Sequence, residues 1–167
     1  MKVFRSMACL FFVFSSAASA QDPHRSRGQG YFFVAPGVIG HNEDQPAIHI
    51  GAGGEGFIYR GLAIGIELGP VGPLKTGPYN DWLDNVIGLG SANLSYHFLP
   101  NNLDRRFESF VTAGYSLFFR AGTFNGYNIG GGTNVWLSKN AALRLEARGH
   151  STAYYHFVGF RIGITFR

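Results

Sequence analysis

Thiols are nearly absent from the 167-residue sequence, whose only cysteine is Cys9. It lies in an apolar run near the amino terminus and lacks the context that lipid attachment needs, small residues before the cysteine and an aliphatic residue three positions back. The chain beyond it can form no disulfide, no thiolate metal cage and no cysteine nucleophile, which suits passage through an oxidising compartment. Charge is scarce as well: Asp, Glu, Lys and Arg make up 14% of the residues, and the formal net charge of +4 shrinks once Lys2 and Arg5 are set aside. The remaining basic residues are scattered, so no nucleic-acid partner is expected. Long apolar runs are missing too. After residue 20 no stretch is continuously apolar for the roughly 20 residues a transmembrane helix requires. If such a chain is embedded in lipid, it must be a closed barrel, the other structure that satisfies every backbone group there.

What is present begins with an export pattern. Lys2 and Arg5 precede an apolar run from Ala8 to Phe14, and small residues end at Ala18-Ser19-Ala20. Residues 1–20 therefore read as a signal peptide cleaved after Ala20. Residues 21–29 form a short polar periplasmic segment, and residues 30–167 are left as one domain rich in glycine and aromatics.

Along that domain, side-chain character alternates with a period of two, the signature of half-buried strands. In Phe157–Arg167, Val158, Phe160, Ile162, Ile164 and Phe166 share one face, and Gly159, Arg161, Gly163 and Thr165 the other. The preceding segment sets Leu143, Leu145 and Ala147 against Arg144, Glu146, Arg148 and His150. Gly126–Leu137, Phe107–Phe119, Val86–Phe98, Leu62–Gly69 and Pro46–Ile58 repeat the pattern, whereas Tyr31–Ile39 is apolar on both faces and contains Pro36. The fold expected is all-β, an eight-stranded antiparallel up-and-down transmembrane barrel. Tyr59-Arg60-Gly61 and Ser138-Lys139-Asn140 read as tight turns. The links near 73–85 and 121–126 read as longer loops, as in a barrel with both termini facing the periplasm. Leu99–Arg106 is long for a turn on that side.

Residue size decides which face looks outward. Eight strands enclose a space just wide enough to be filled by side chains. Packing the Leu, Ile, Val, Phe and Tyr face into it would overfill it, whereas glycines around a few long charged chains would fit. Lipid is then the neighbour of the apolar face. Tyr96, Phe98, Tyr115, Phe119, Tyr127 and Phe166 read as interfacial aromatics. Glu55, Glu67, Glu108 and Glu146 point inward with Arg144, Arg148 and Arg161, and they must pair there because an unpaired buried charge is costly. Such a network would plug the lumen.

These features resemble the small bacterial outer-membrane β-barrel family, of the OmpX and OmpA-barrel kind. The resemblance covers nearly all of the mature chain and rests on architecture, not on a catalytic motif. It implies outer-membrane lipid and lipopolysaccharide as surroundings, the barrel-assembly machinery as a partner in biogenesis, a monomer, and a structural or loop-borne role. In that family the last strand ends in an aromatic residue read by the assembly machinery. Phe166 matches that position, although Arg167 follows it. No peptidoglycan-binding domain is expected after the barrel.

Other patterns carry less. Gly51-Ala52-Gly53-Gly54-Glu55-Gly56 matches a dinucleotide-binding string, but that string works at a strand-to-helix turn and no helix follows. No cofactor is expected. His41, His49, His97, His150 and His156 fall on separate segments without metal-ligand spacing. Asn93-Leu94-Ser95 is a glycosylation triplet inside a strand. Glu146, His150 and Ser151 supply the residue types of an outer-membrane lipid A deacylase, yet adjacent residues on a strand face opposite sides. The alternatives are thus a lipid hydrolase and a soluble lipocalin-like barrel for an apolar ligand. Cell fractionation separates the latter: the transmembrane barrel is recovered in the outer membrane and migrates differently on gels before and after heating, whereas a soluble barrel is released with the periplasm.

Overall fold

The computed structural model describes residues 28–40, 44–74, 85–98, 106–120 and 122–167. The expected signal peptide, residues 21–27 of the segment after it, and His41 lie outside them. Eight strands follow in order: β1 (Gly28–Gly40), β2 (Asp44–Tyr59), β3 (Leu62–Pro73), β4 (Ile87–His97), β5 (Phe107–Phe119), β6 (Thr123–Trp136), β7 (Ala141–Thr152) and β8 (His156–Phe166). Each pairs antiparallel with its neighbours in sequence, and β1 pairs with β8, so the sheet closes as an up-and-down barrel. Among the described strands no sheet edge is left to pair with another chain. Among the described residues no helix is long and apolar enough to cross a membrane.

Alternation sorts the side chains as their chemistry requires. On the outer wall Ile66 is 70% exposed, Ile129 65% and Val158 58%, while Arg144, Glu146 and Arg161 are each 1% exposed inside. A lipocalin-like barrel has the opposite polarity, with its apolar side chains around a ligand. The outer wall here is a surface for hydrocarbon, and the chain folds as a transmembrane barrel.

Two sequence expectations change. The link at 121–126 is not a long loop, since β6 begins at Thr123 and Arg120 N–H donates to the Gly122 carbonyl at 3.0 Å. The β7–β8 connection is also tight, with Thr152 Oγ1 accepting from Tyr155 N–H at 2.8 Å and donating to the Tyr155 carbonyl at 2.9 Å. Loop length therefore distinguishes the two rims less than the sequence implied. The interior is also not only glycine and charge. Tyr31, Phe33, Phe57, Phe110, Phe118, Trp136 and Phe157 all lie inside, because β1 carries apolar residues on both faces and the other strands place single aromatics on the inward register.

Space for these large groups comes from a size match across the ladder. Tyr31 faces Gly53 and Phe33 faces Gly51, while Glu146 faces Gly132 and Arg148 faces Gly130. A Cβ at Gly53 would lie 2.7 Å from the Tyr31 ring, and one at Gly132 would lie 2.1 Å from the Leu145 carbonyl. The glycine string of β2 is thus the recess into which β1 lays its inward aromatics. Glycine is needed for its backbone at the β2–β3 turn, where Arg60 and Gly61 have φ of 31° and 94°, the two left-handed residues of a tight hairpin. An Ile162→Arg substitution on the outer wall is expected to destabilise the barrel by about 2–4 kcal/mol if it lies near the bilayer midplane, measured by urea unfolding from lipid vesicles.

Candidate functional site

The inward residues form tiers along the barrel axis. Nearest the rim that carries the Arg60-Gly61 turn, Arg167 reaches back from the end of β8. Its Nη2 is 2.5 Å from Glu108 Oε2, and its guanidinium carbon is 3.5 Å from the Trp136 ring centroid. His97 lies beside it between two carboxylates, with Nδ1 2.7 Å from Glu108 Oε1 and Nε2 3.2 Å from Glu55 Oε2.

The next tier is a chain of ion pairs. Arg144 Nη1 donates to Glu55 Oε1 at 3.0 Å and its Nε to Glu146 Oε2 at 3.0 Å. Arg148 pairs with Glu146 through Nε and with Glu67 through Nη1 at 2.8 Å. Arg161 grips both oxygens of Glu67 at 2.9 Å and lies 3.8 Å from Glu146. β7 presents Arg144, Glu146 and Arg148 two residues apart on one face, and β2, β3 and β8 bring the partners. Rings cover the guanidinium planes: Arg144 lies 4.0 Å from Phe110 and 4.4 Å from Tyr31, and Arg161 4.3 Å from Phe33. Ion pairing and ring contact both offset the several kcal/mol that each buried charge loses in hydration.

Above the charges is a polar belt. Arg161 Nη2 meets His150 Nε2 at 2.9 Å, and His150 Nδ1 meets Ser116 Oγ at 2.8 Å. A guanidinium only donates, so Nε2 must accept and the proton sits on Nδ1, which donates to Ser116. Asn128 Nδ2 also donates to Ser116 Oγ at 3.0 Å, and the Ser116 hydroxyl can turn to Ser91 Oγ at 3.1 Å. The imidazole therefore points a proton at this serine instead of taking one, the reverse of a general base. Ser151, the serine of the expected hydrolase set, is on the opposite face from His150, and Glu146 is committed to arginines. The structure does not gather Glu146, His150 and Ser151 into a catalytic arrangement.

Towards the other rim the lumen turns apolar. Phe33, Phe118 and Phe157 pack with Ala35, Ala47, Val71 and Leu89, and His49 lies edge-on to Phe33 and Phe157 at 4.9 and 5.7 Å. Tyr155 stacks on Phe118 and meets Phe124. An open cavity of about 450 Å³ lies above them, beside Arg120 and Asn85.

The aromatics singled out on the outer wall are all exposed. Tyr96, Phe98 and Phe166 stand at the strand ends nearest the Arg60-Gly61 turn, and Phe119, Tyr115 and Tyr127 lie towards the other rim, the two tyrosines paired across β5 and β6. Asn93 of the glycosylation triplet faces the lumen and accepts from Asn128 at 2.9 Å. Among the described residues no group of three or more His, Cys, Asp or Glu could hold a metal. The alternation of Val86–Phe98 put His97 on the polar face with Asn93 and Ser95, without showing the two carboxylates it sits between, whereas Trp136 and Arg167 were not recognised as parts of the packed interior. Alternation carried the signal for these two as well, since they continue the inward registers of Asn134 and Thr165.

The barrel is similar to the crystal structure of Neisserial surface protein A, with a TM-score of 0.69 and 11% identity over 84% of this chain and 97% of that one. It is similar to the N-terminal β-barrel domain of Pseudomonas aeruginosa OprF, with a TM-score of 0.52 and 17% identity over 83% and 99%. Ail, the attachment invasion locus protein of Yersinia pestis, gives 0.54 and 6% over 84% and 99%. No protein-family model and no curated protein matches the sequence. What is shared at these identities is the fold, that of the small bacterial outer-membrane barrels. Within this chain, Glu146→Ala strips the shared carboxylate from Arg144 and Arg148 and is expected to cost about 3–5 kcal/mol. Ser151→Ala, outside the lumen, is expected to change stability by less than about 0.5 kcal/mol in the same urea unfolding measurement.

Proposed function

We propose that this chain is a sealed, non-enzymatic barrel of the outer membrane of a diderm bacterium, contributing to envelope integrity or to surface interaction through its wall and its rims. The observation that carries this reading is the filled lumen. Ion pairs from Glu55 and Glu67 to Arg144, Arg148 and Arg161 cross it, and a block of aromatic rings follows along the same axis. Ions entering from the aromatic end meet a segment that cannot hydrate them. Ions entering from the charged end meet carboxylates and guanidiniums already occupied by one another. Barrels that conduct by open diffusion have wider interiors built from more strands.

The partners on this reading are the lipids that bathe the wall, lipopolysaccharide in the outer leaflet among them, and the barrel-assembly machinery during biogenesis. The protein acts as a monomer, because the seal is complete within one chain. Among the described residues the lumen serines Ser91, Ser95 and Ser116 are buried, and Ser151 stands outside the network.

Purified protein in planar bilayers is expected to give no steady conductance, and steps of stable amplitude at neutral pH would refute the seal. Deleting the gene is expected to leave lipid A acylation, read by mass spectrometry, the same as in the parent strain. A loss of deacylated lipid A that Ser151→Ala or His150→Ala reproduces would return the protein to the hydrolases.

A further inference from the structure

The lipid-facing wall is not uniformly convex. Across β3 to β6, Leu62, Leu94, Tyr96, Val111, Ala113 and Ile129 line a groove of about 340 Å³ whose exposed surface is almost wholly apolar. Its depth comes from small residues between branched ones. Ala113 pairs with both Leu94 and Ile129, and Val111 pairs with Gly131. The groove starts low on the barrel, at the paired Leu62 and Tyr96, and runs away from the rim of the Arg60-Gly61 turn.

That rim is cationic. Arg60, Arg106 and Lys139 are exposed there, none of the described rim residues is an exposed acid, and Glu55 and Glu108 are turned into the lumen. At the opposite rim the exposed charge is mixed, with Asp44 paired to His156 at 2.9 Å. Arg60 lies over the Tyr59 ring at 5.4 Å, and Arg106 immediately precedes the exposed Phe107. Each cation thus stands next in the chain to an exposed aromatic, the residue type that collects at the lipid–water interface. Leu62 follows Arg60 by two residues at the tight turn, and at roughly 3.3 Å per residue Val111 is about 17 Å up β5 from Arg106. A chain of methylenes entering at the rim could follow the groove from one end to the other.

We propose that this wall is a binding site for an anionic phospholipid of the periplasmic leaflet, one acyl chain in the groove and the phosphate between Arg60 and Arg106. The inference rests on the reading of the chain as a lipid-embedded barrel and adds the lipid class, the leaflet and the residues. Apolar shape alone would hold any acyl chain equally well. The exposed cations Arg60, Arg106 and Lys139 are what select a net negative headgroup over a zwitterionic one, each cation near the surface contributing about five-fold.

Native mass spectrometry of the full chain, released from nanodiscs of equal phosphatidylglycerol and phosphatidylethanolamine, tests this. The wild type is expected to retain phosphatidylglycerol in about five-fold excess or more. Arg60→Gln with Arg106→Gln is expected to bring the ratio close to parity while some lipid stays bound. Ala113→Leu, which fills the groove from the lipid side without touching the lumen, is expected to lose the retained lipid of both kinds and keep heat-modifiable migration. Equal retention of both lipids by the wild type, or unchanged retention in either variant, overturns the site and leaves the barrel standing. Failure of the wild type to insert, with no heat-modifiable band, overturns the transmembrane reading and the site together.

Discussion

A strand in hydrocarbon has no water to complete its hydrogen bonds, and that constraint organises everything else in this molecule. It requires the pairing of β1 with β8, since an open edge would leave a row of unbonded amides and carbonyls in lipid. Closure at eight strands then fixes a narrow interior. Whatever the inward register carries must fit that space and satisfy itself there, and the size match between large side chains and the glycines across from them is how the fit is reached.

The interior solves its electrostatics by balance. Carboxylates at Glu55, Glu67, Glu108 and Glu146 meet guanidiniums at Arg144, Arg148, Arg161 and Arg167, with His97 between Glu55 and Glu108. Arg144, Arg148 and Arg161 each touch more than one partner, so none of these three guanidiniums carries its desolvation alone. The charged tiers lie towards the rim of the Arg60-Gly61 turn and the aromatic tier towards the other. The polar belt joins the two, and its hydrogen-bond directions, set by an arginine that can only donate, leave His150 without a basic nitrogen facing a serine.

How much of this could be read beforehand varies from strand to strand. β8 was legible almost residue by residue, because its alternation is strict and its two faces differ sharply in size, whereas β5 was legible in its middle but carries Phe110 and Phe118 on the inward register. β1 was hard to read because both of its faces are apolar. The inward one, Tyr31 and Phe33, belongs to the lumen's aromatic packing, and a period-two pattern cannot separate two greasy faces. The inward register of Arg144, Glu146 and Arg148 was evident from spacing, as was that of His97 beside Asn93 and Ser95, yet Trp136 and Arg167 follow the same rule and were missed.

Local periodicity is a property of the chain itself, so the sequence alone determined which side chains share a face, that one face is greasy and the other small or charged, and that no helix does the spanning. Partnership is not local. Glu55 and Arg144 are 89 residues apart, and Glu67 and Arg161 94. They meet only because the stagger of eight strands around a closed cylinder brings them to one height, and that stagger is fixed when the last ladder forms. The split of the lumen into a charged half and an aromatic half, the proton's place on His150 and the groove above the cationic rim all follow from it, and only the tertiary structure decided them.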